Sequence, residues 1–319
     1  MQAEIEHIAI IDLGTNTFNI LVTHLDENGW KADFRTSIPV GLAKGGIAKR
    51  TITWDRFARG LDAMFIFKNT ASNYKCRQIK AFATSAVREA DNGIEFIDAI
   101  RAKTGIEVAI IDGTREADFI YRGVKQTLDL TEGTALIMDI GGGSTEFILS
   151  GAEGVIWKNS FPLGVGRIAE IMTLPDPLGK EGVLELEGMF DEVLSPLWDA
   201  CSAHLIERLI GSSGSFDTFR DMVNLAHGDR EVDVSDKAVE INLPLFQRLA
   251  DILINATEDQ RILMPGMQPS RAETLQISAV MLRKVLKKLQ IKSLYRSRFA
   301  LKEGVMDWLL ETHQLERSL

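Results

Sequence analysis

The chain has 319 residues, with 45 acidic against 36 basic side chains and a net charge of −9. That length suits two domains, each able to bury its own core, and the negative charge argues against broad non-specific nucleic-acid binding, so a polyanionic ligand needs local basic residues. No apolar run reaches membrane-spanning length, the acidic start Met1-Gln2-Ala3-Glu4-Ile5-Glu6 predicts no signal peptide, and Cys76 and Cys201, at no metal or redox spacing, predict a reducing cytoplasm.

The first predicted element is a hairpin over residues 8–23, followed by a third strand from Phe34 to Val40 and a basic, glycine-containing loop with Lys44, Lys49 and Arg50. Thr53 is placed to cap a helix whose apolar face carries Phe57, Leu61, Met64 and Phe65. Ile79 to Ala83 reads as a strand, and Thr84-Ser85 opens a helix-like segment with Arg88. Strand ends of this kind hold ligands in α/β folds. Asp91 is expected to cap the next helix, which ends near Gly105; Ile106 to Ile111 is a strand. Asp112-Gly113-Thr114 then turns the chain into a helix carrying Arg115 and Glu116, with Ile120 and Val124 on its apolar side. A glutamate in a first helical turn also simply complements the helix dipole.

The second half begins near Leu128. Ala135 to Met138 and Phe147 to Leu149 are two β-type runs joined by Asp139-Ile140-Gly141-Gly142-Gly143-Ser144-Thr145-Glu146. Three glycines bare the backbone, so N–H groups can form a concave anion nest. Val155 to Phe161 is a third strand, and Leu163-Gly164-Val165-Gly166-Arg167 turns into a helix. Gly182 to Ala203 reads as one helix bent or interrupted at Pro196. After a strand ending at Leu209-Ile210, the loop Gly211 to Ser215 leads into a helix from Phe216 to Leu225. Such a loop is either an anion site or a tight turn. His227 to Asp236 is a connection, residues 243–290 are mostly helical with a break at Pro265 to Pro269, and Val305 to Leu310 is a final helix. Arg283 to Lys302 holds eight basic residues and no acidic one, either a solvated helix face or a channel wall for a polyanion. The histidines, His7, His24, His204, His227 and His313, are scattered, which argues against a zinc phosphatase.

An internal repeat organises these elements. Ile10 to Val22 aligns without a gap on Ile137 to Leu149, placing Asp12 on Asp139, Gly14 on Gly141 and Thr17 on Ser144. Two copies of one hairpin unit predict two domains of like fold, with two phosphate-gripping turns facing across a cleft.

The pair Ile11-Asp12-Leu13-Gly14-Thr15-Asn16-Thr17-Phe18 and Asp139 to Glu146 resembles the exopolyphosphatase / guanosine pentaphosphate phosphohydrolase family, within the actin-like ATPase superfamily. Ala83 to Ala90, Gly113 to Ala117 with Tyr121 to Val124, and Leu301-Lys302-Glu303-Gly304-Val305 agree with it, in the family's order, from about residue 8 to the C-terminus. The resemblance implies an α/β fold of two ribonuclease H-like (actin-like ATPase) domains with an interdomain cleft. The domains are expected at 1–127 and 128–319, with the last helix, about 303–319, packing back on the first. It implies hydrolysis of a terminal phosphoanhydride of inorganic polyphosphate, or else of guanosine pentaphosphate, with Mg²⁺ or another divalent cation. It also implies a homodimer, and no nucleic-acid or membrane partner.

In that scheme Gly14, Thr15, Asn16, Thr17, Arg88, Gly141, Gly142, Gly143 and Ser144 bind phosphoryl oxygens, and Asp139, Glu146 and Asp12 hold the cation. Glu116 matches the family's catalytic base, with Glu146 as the second catalytic carboxylate. Arg88 reads alternatively as a surface ion pair. Arg115 stands where the family has a first glutamate, and is expected either to lower the pKa of Glu116 or to bind substrate. Glycine replacement by a branched residue at Gly142 is expected to block phosphate and to strain the backbone. Lys44, Gly41 and Glu273 also depart from the family pattern, and Lys44 reads as well as a solvated loop charge. Two rival classes share the hairpins: an ATP-dependent sugar or acetate kinase, and a non-catalytic nucleotide sensor.

Overall fold

A computed structural model describes residues 7–26, 29–228 and 236–316. The start Met1 to Glu6 and most of the predicted connection from His227 to Asp236 lie outside the described residues. The first half runs β1 (His7–Leu13), β2 (Thr17–Asp26), β3 (Gly29–Pro39), α1 (Trp54–Asn73), β4 (Gln78–Ala83), α2 (Ser85–Arg88), α3 (Gly93–Thr104), β5 (Val108–Ile110) and α4 (Gly113–Val124). The second half opens with β6 (Ala135–Ile140), β7 (Thr145–Gly151), β8 (Gly154–Phe161), α5 (Val165–Ile171), α6 (Gly179–Val193) and α7 (Ser195–Cys201). It continues with β9 (Arg208–Ser212), α8 (Gly214–His227), β10 (Ala238–Glu240), α9 (Leu243–Asn255), α10 (Glu258–Ile262), α11 (Leu275–Lys288), β11 (Ser293–Ser297) and α12 (Leu301–Glu316).

The repeat seen in the sequence is a repeat of topology. One sheet has the order β3-β2-β1-β4-β5 and the other β10-β11-β9-β6-β7-β8. In each, an antiparallel three-strand meander continues into parallel strands: β1 pairs β4 parallel, and β6 pairs β9 parallel. Strand β10 is an antiparallel addition at the far edge of the second sheet.

Strand alternation sorts the core into three layers. Ala9, Ile11 and Leu13 face α1 and α3 with Phe57, Met64, Phe67 and Phe96. Leu136, Met138, Phe147 and Leu149 face a larger helical layer with Phe190, Phe216, Phe219 and Phe246. The opposite faces, Ile8 and Ile10 of one sheet and Ile137, Ile148 and Ile210 of the other, share a middle core with α4 and α12. Strands buried on both faces explain the nearly continuous apolar runs. Helix α4, from the first half, packs on β6, β7 and β8, while α12, from the chain's end, packs on β1 and on α4. The two helices touch backbone to backbone. A Cβ on Gly123 would stand 2.0 Å from the Ala300 carbonyl oxygen, and one on Gly304 1.7 Å from that of Phe119.

Several local expectations are corrected. Phe65 is 46% exposed, and Phe67 is the buried aromatic of α1. The residue flanking α3 is Asn92 rather than Asp91. The interruption expected at Pro196 is present: the residue sits in the first turn of a separate helix, α7, where its missing N–H costs no helical bond. The basic run from Arg283 to Lys302 is a helix end, a strand and a helix start, not one helix face. Both cysteines are free thiols. No helix among the described residues is long and apolar enough to cross a membrane.

Candidate active site

The two glycine turns meet at one cleft of about 520 Å³. Asp12, Gly14, Thr15, Asn16, Thr17, Glu116, Asp139, Gly141, Gly142, Gly143, Ser144 and Glu146 all line it. The two hairpins share the close approach of a glycine to the carbonyl three residues on. A Cβ on Gly14 would meet the Thr17 carbonyl at 2.8 Å, and one on Gly141 would meet the Ser144 carbonyl at 2.9 Å. Asp12 pairs with Asn19 in the first register, Asp139 with Glu146 in the second.

The backbone of the second turn is aimed. The carbonyls of Gly141 and Gly142 accept from Val165 N and Arg167 N, both at 3.0 Å, and that of Gly143 accepts from Arg167 Nε at 2.9 Å. In a planar trans peptide the following N–H points the opposite way. The amides of Gly142, Gly143 and Ser144 are thereby turned away from α5 as a set. The N–H of Gly141 is different: it donates to the Ser144 carbonyl at 3.0 Å and closes the hairpin. In the first turn the Asn16 carbonyl accepts from Val40 N and Gly41 N, which turns the Thr17 amide away from that loop.

The glycines also serve packing. A Cβ on Gly142 would stand 2.6 Å from Asn16 Cγ, and one on Gly143 2.6 Å from Thr15 Oγ1, so the two turns abut. None of Gly141, Gly142 and Gly143 has a positive φ. The expected backbone strain at Gly142 is therefore corrected: a side chain there meets Asn16, not a forbidden conformation.

Four carboxylates converge. Glu116 and Glu146 are 8% and 1% exposed, Asp139 is 8% exposed, and Asp12 is half-buried. Local structure explains how Glu116 reaches its partners. Asp112 caps α4, accepting from Arg115 N at 2.7 Å. Gly113 lets the helix start lie against Ser160, whose Oγ donates to Glu146 Oε1 at 2.7 Å. Burial, then the charge of Glu146, pushes Glu116 well above the usual carboxylate range, against the pull of Arg88. Burial and the charge of Asp139 push Glu146 up to about 7. Burial pushes Asp139 up to about 6, although Ser212 Oγ donates to its Oδ2 at 2.5 Å. Asp12 is raised by burial, with Asn19 Nδ2 donating to Oδ2 at 3.0 Å.

A cluster of raised, buried carboxylates suits a hard cation, whose charge would reverse those shifts. Among the described residues, no three of these carboxylates bring oxygens within 4.8 Å of one another. The donor set fits a Mg²⁺-type ion bound by one or two carboxylates and otherwise by water and phosphate oxygens, rather than an all-protein cage.

Two arginines, Arg88 and Arg115, meet protein partners beside the cleft. Arg88 is not among the cleft-lining residues. Its Nη1 donates to the Ile111 carbonyl at 2.8 Å and to Glu116 Oε2 at 3.2 Å, so it steadies Glu116. Arg115 lies 4.3 Å from the Phe119 ring centroid and 4.9 Å from that of Trp308. Neighbouring helix positions diverge by about 100°, so Arg115 stacks while Glu116 enters the cleft. Glu116 is raised, not lowered, and Arg115 is not one of its perturbers. Lys44 pairs with Glu273 at 2.8 Å.

The cleft's basic side is Arg271, Arg298 and Lys302. The last two belong to the basic run, while Arg283, Lys284 and Lys288 of the same run pair with Asp251 and Asp191. Arg271 was missed as a site residue. It lies across Gly214 at the start of α8, 1.6 Å from where a Cβ would stand. The glycine after Ser213 was its sequence signal, and the loop that read either as an anion site or as a tight turn has the Arg271 guanidinium lying over it.

Two like-folded sheets with carboxylates and glycine turns at the cleft between them define a two-domain, actin-like phosphoryl-transfer architecture. The chain belongs to the Ppx/GppA phosphatase family, whose sequence profile matches residues 26–313. It is 26% identical over 305 residues to the protein named Exopolyphosphatase 1 in Mycobacterium tuberculosis, a match covering 94% of this chain and 87% of that one. An exopolyphosphatase crystal structure from Cytophaga hutchinsonii superposes with a TM-score of 0.93 at 34% identity, over 96% of this chain and 98% of that one. A Ppx/GppA family member from Aquifex aeolicus shares the fold at a TM-score of 0.80 and 20% identity, over 97% and 99% of the two chains.

Proposed function

We propose that the cleft hydrolyses the terminal phosphoanhydride bond of inorganic polyphosphate and releases orthophosphate. The observation that carries this reading is Glu116, a buried carboxylate of raised pKa, opposed to Glu146 between two glycine turns. A carboxylate fixed by Arg88 at the edge of the cleft is placed to take a proton from an attacking water, and a bound cation would favour its ionised form. In this scheme Arg88 holds Glu116 in position, and Glu116 orients the attacking water and takes its proton. The amides of Gly142, Gly143 and Ser144, with Thr15, Asn16, Thr17 and the backbone at Gly14, receive the phosphoryl oxygens. Such preorganised donors stabilise the charge of the transition state. Arg271, Arg298 and Lys302 draw the polyanion into an otherwise acidic chain. Asp139, Glu146 and Asp12 are the residues that would hold Mg²⁺, which supplies charge neutralisation on the reacting phosphate. A neighbouring cavity of about 470 Å³ shares Asn16, Thr17 and Arg271 with the cleft and adds Arg56 and Arg59, room and charge for the rest of a chain. The same reading divides the chain into domains 1–127 and 128–319, and places it in the cytoplasm as a homodimer.

The test is phosphate release from polyphosphates of several lengths and from guanosine pentaphosphate, with Mg²⁺ and with excess chelator. Release from polyphosphate, lost on chelation, is expected. Release from guanosine pentaphosphate alone would reassign the substrate. No release from either, with ATP-dependent phosphorylation of a sugar or acetate, would make the protein a kinase.

A further inference from the structure

At the other end of the first sheet from the cleft, three side chains that are distant in sequence share one point. We propose that His7, His24 and Asp33 form a binding site for one divalent transition-metal ion of the zinc type, tying β1, β2 and β3 together. The site is independent of the hydrolytic reading. His7 and His24 stand directly opposite in the β1–β2 register, which brings their Cβ atoms to about 5 Å. Their rings meet edge to face with centroids 5.9 Å apart. Asp33 arrives by a bulge. Thr23 pairs with Ala32 and Val22 with Phe34, so Asp33 is the extra residue of β3. A bulge re-aims a side chain.

The ligand atoms of the three residues all lie within 4.8 Å of one another. Asp33 Oδ1 and Oδ2 are 2.9 and 2.7 Å from His24 Nδ1, and Oδ2 is 3.6 Å from His7 Nε2. One N–H cannot serve both oxygens well, and 3.6 Å is beyond hydrogen-bond reach. A tetrahedral ion with bonds of roughly 2.0–2.1 Å sets its ligands about 3.3 Å apart. The observed spacings bracket that value, so small rotamer shifts would seat an ion. The side chains are 24%, 20% and 25% exposed, open enough for an ion to enter and for water to complete its shell. Two imidazoles and a carboxylate favour Zn²⁺, Co²⁺ or Ni²⁺ over Mg²⁺. His7 opens β1 and Asp12 lies five residues on, about 16 Å at strand rise, so the ion is structural rather than part of the cleft.

The experiment uses the full chain, stripped by chelator and returned to excess Mg²⁺ so that the cleft is supplied. Co²⁺ and Zn²⁺ are the probes. One equivalent of Co²⁺ is expected to give a tetrahedral visible absorption band that Zn²⁺ displaces, and Zn²⁺ is expected to raise the melting temperature. His24→Gln and Asp33→Asn should each weaken Co²⁺ binding at least tenfold, while Asp139→Asn leaves the band unchanged. Absence of the band in the wild-type chain overturns the site. So does an undiminished band in His24→Gln, or a band lost only in Asp139→Asn. Should His24→Gln not fold, the wild-type spectrum and Asp33→Asn decide the matter.

Discussion

Glu116 touches Arg88 on one side and opposes Glu146 on the other, so changing its charge tests the chemistry more than the fold. Glu116→Gln keeps the size and removes the proton-accepting charge. Turnover should fall by ~10²–10⁴-fold, with polyphosphate affinity equal or tighter because a carboxylate repels a polyanion. If Glu116 only complemented the helix dipole, the change would cost roughly 0.3–1 kcal/mol of stability and leave turnover intact. Turnover, affinity and melting temperature on one variant separate the two, and normal turnover would remove Glu116 as the base. The neighbouring acids make a second prediction. Asp139 and Glu146 are raised in the folded state, to about 6 and about 7. The folded chain therefore binds more protons than the unfolded chain between the ordinary carboxylate range, roughly pH 4, and those values. Stability from these groups is full below that window and is lost as pH rises through it. The metal-free protein should melt lower at pH 8 than at pH 5.5, and Mg²⁺ should recover part of the loss at pH 8. Asp139→Asn should stabilise the metal-free protein at pH 8 by on the order of 1–3 kcal/mol and flatten the slope. A melting temperature that rises across that range, in wild type and variant alike, would contradict the assignment. Asp139 and the glycine turns stand out in the sequence because a repeated motif marks them, whereas Glu116 lies outside the repeat and was singled out only by the resemblance of the segment Gly113 to Ala117. The partners of Arg88 and Arg115 were not legible, because a side chain's direction depends on what packs beside it.

Helices α4 and α12 carry the next scale, since α4 delivers Glu116 and α12 begins beside Lys302. Their contact depends on Gly123 and Gly304. Gly304→Ala would drive a methyl group into the Phe119 carbonyl, 1.7 Å from the ideal Cβ position. The helices must separate, which should cost about 1–3 kcal/mol. Turnover should fall as well, because α4 moves relative to Glu146. Denaturant unfolding and turnover on the same variant check this, and wild-type values for both would show that the contact yields freely. Elements with a strong period were readable: both hairpins, α1, α4 and α8. Strands β10 and β11 were not. Ser293–Ser297 is five residues long and sits inside a run dominated by lysine and arginine, so its charge pattern masked its pairing with β9.

Across the whole molecule, contacts bridge the two halves of the chain beside the cleft. Glu170 of α5 accepts from Gly45 N and Ile47 N, both at 2.7 Å. Arg167 Nη2 lies 2.5 Å from Glu89 Oε2, and Lys44 pairs with Glu273. Exposed ion pairs contribute little, whereas Glu170 takes up the amides of Gly45 and Ile47 in a loop whose other turns are closed by its own backbone bonds. Glu170→Ala should loosen the closed arrangement. The radius of gyration of the free protein should rise in small-angle scattering, and KM for polyphosphate should rise roughly three- to tenfold with kcat less affected. Unchanged scattering and KM would show that the loop holds without it.

The two-fold repeat, the α/β class, the glycine turns and the carboxylates at their edges can all be read along the chain. These are local: a strand's alternation, a glycine's missing Cβ and a helix cap act over a few residues, so the chain displays them in order. Tertiary structure decided which charges meet. Of the basic run, Arg298 and Lys302 reach the cleft while Lys284 and Lys288 meet Asp191. Arg271 enters across a bare glycine in another element. Two of five scattered histidines come to one point because antiparallel pairing sets His7 opposite His24, and a one-residue bulge adds Asp33. Electrostatic energy depends on distance and burial in space, and neither is ordered along the chain.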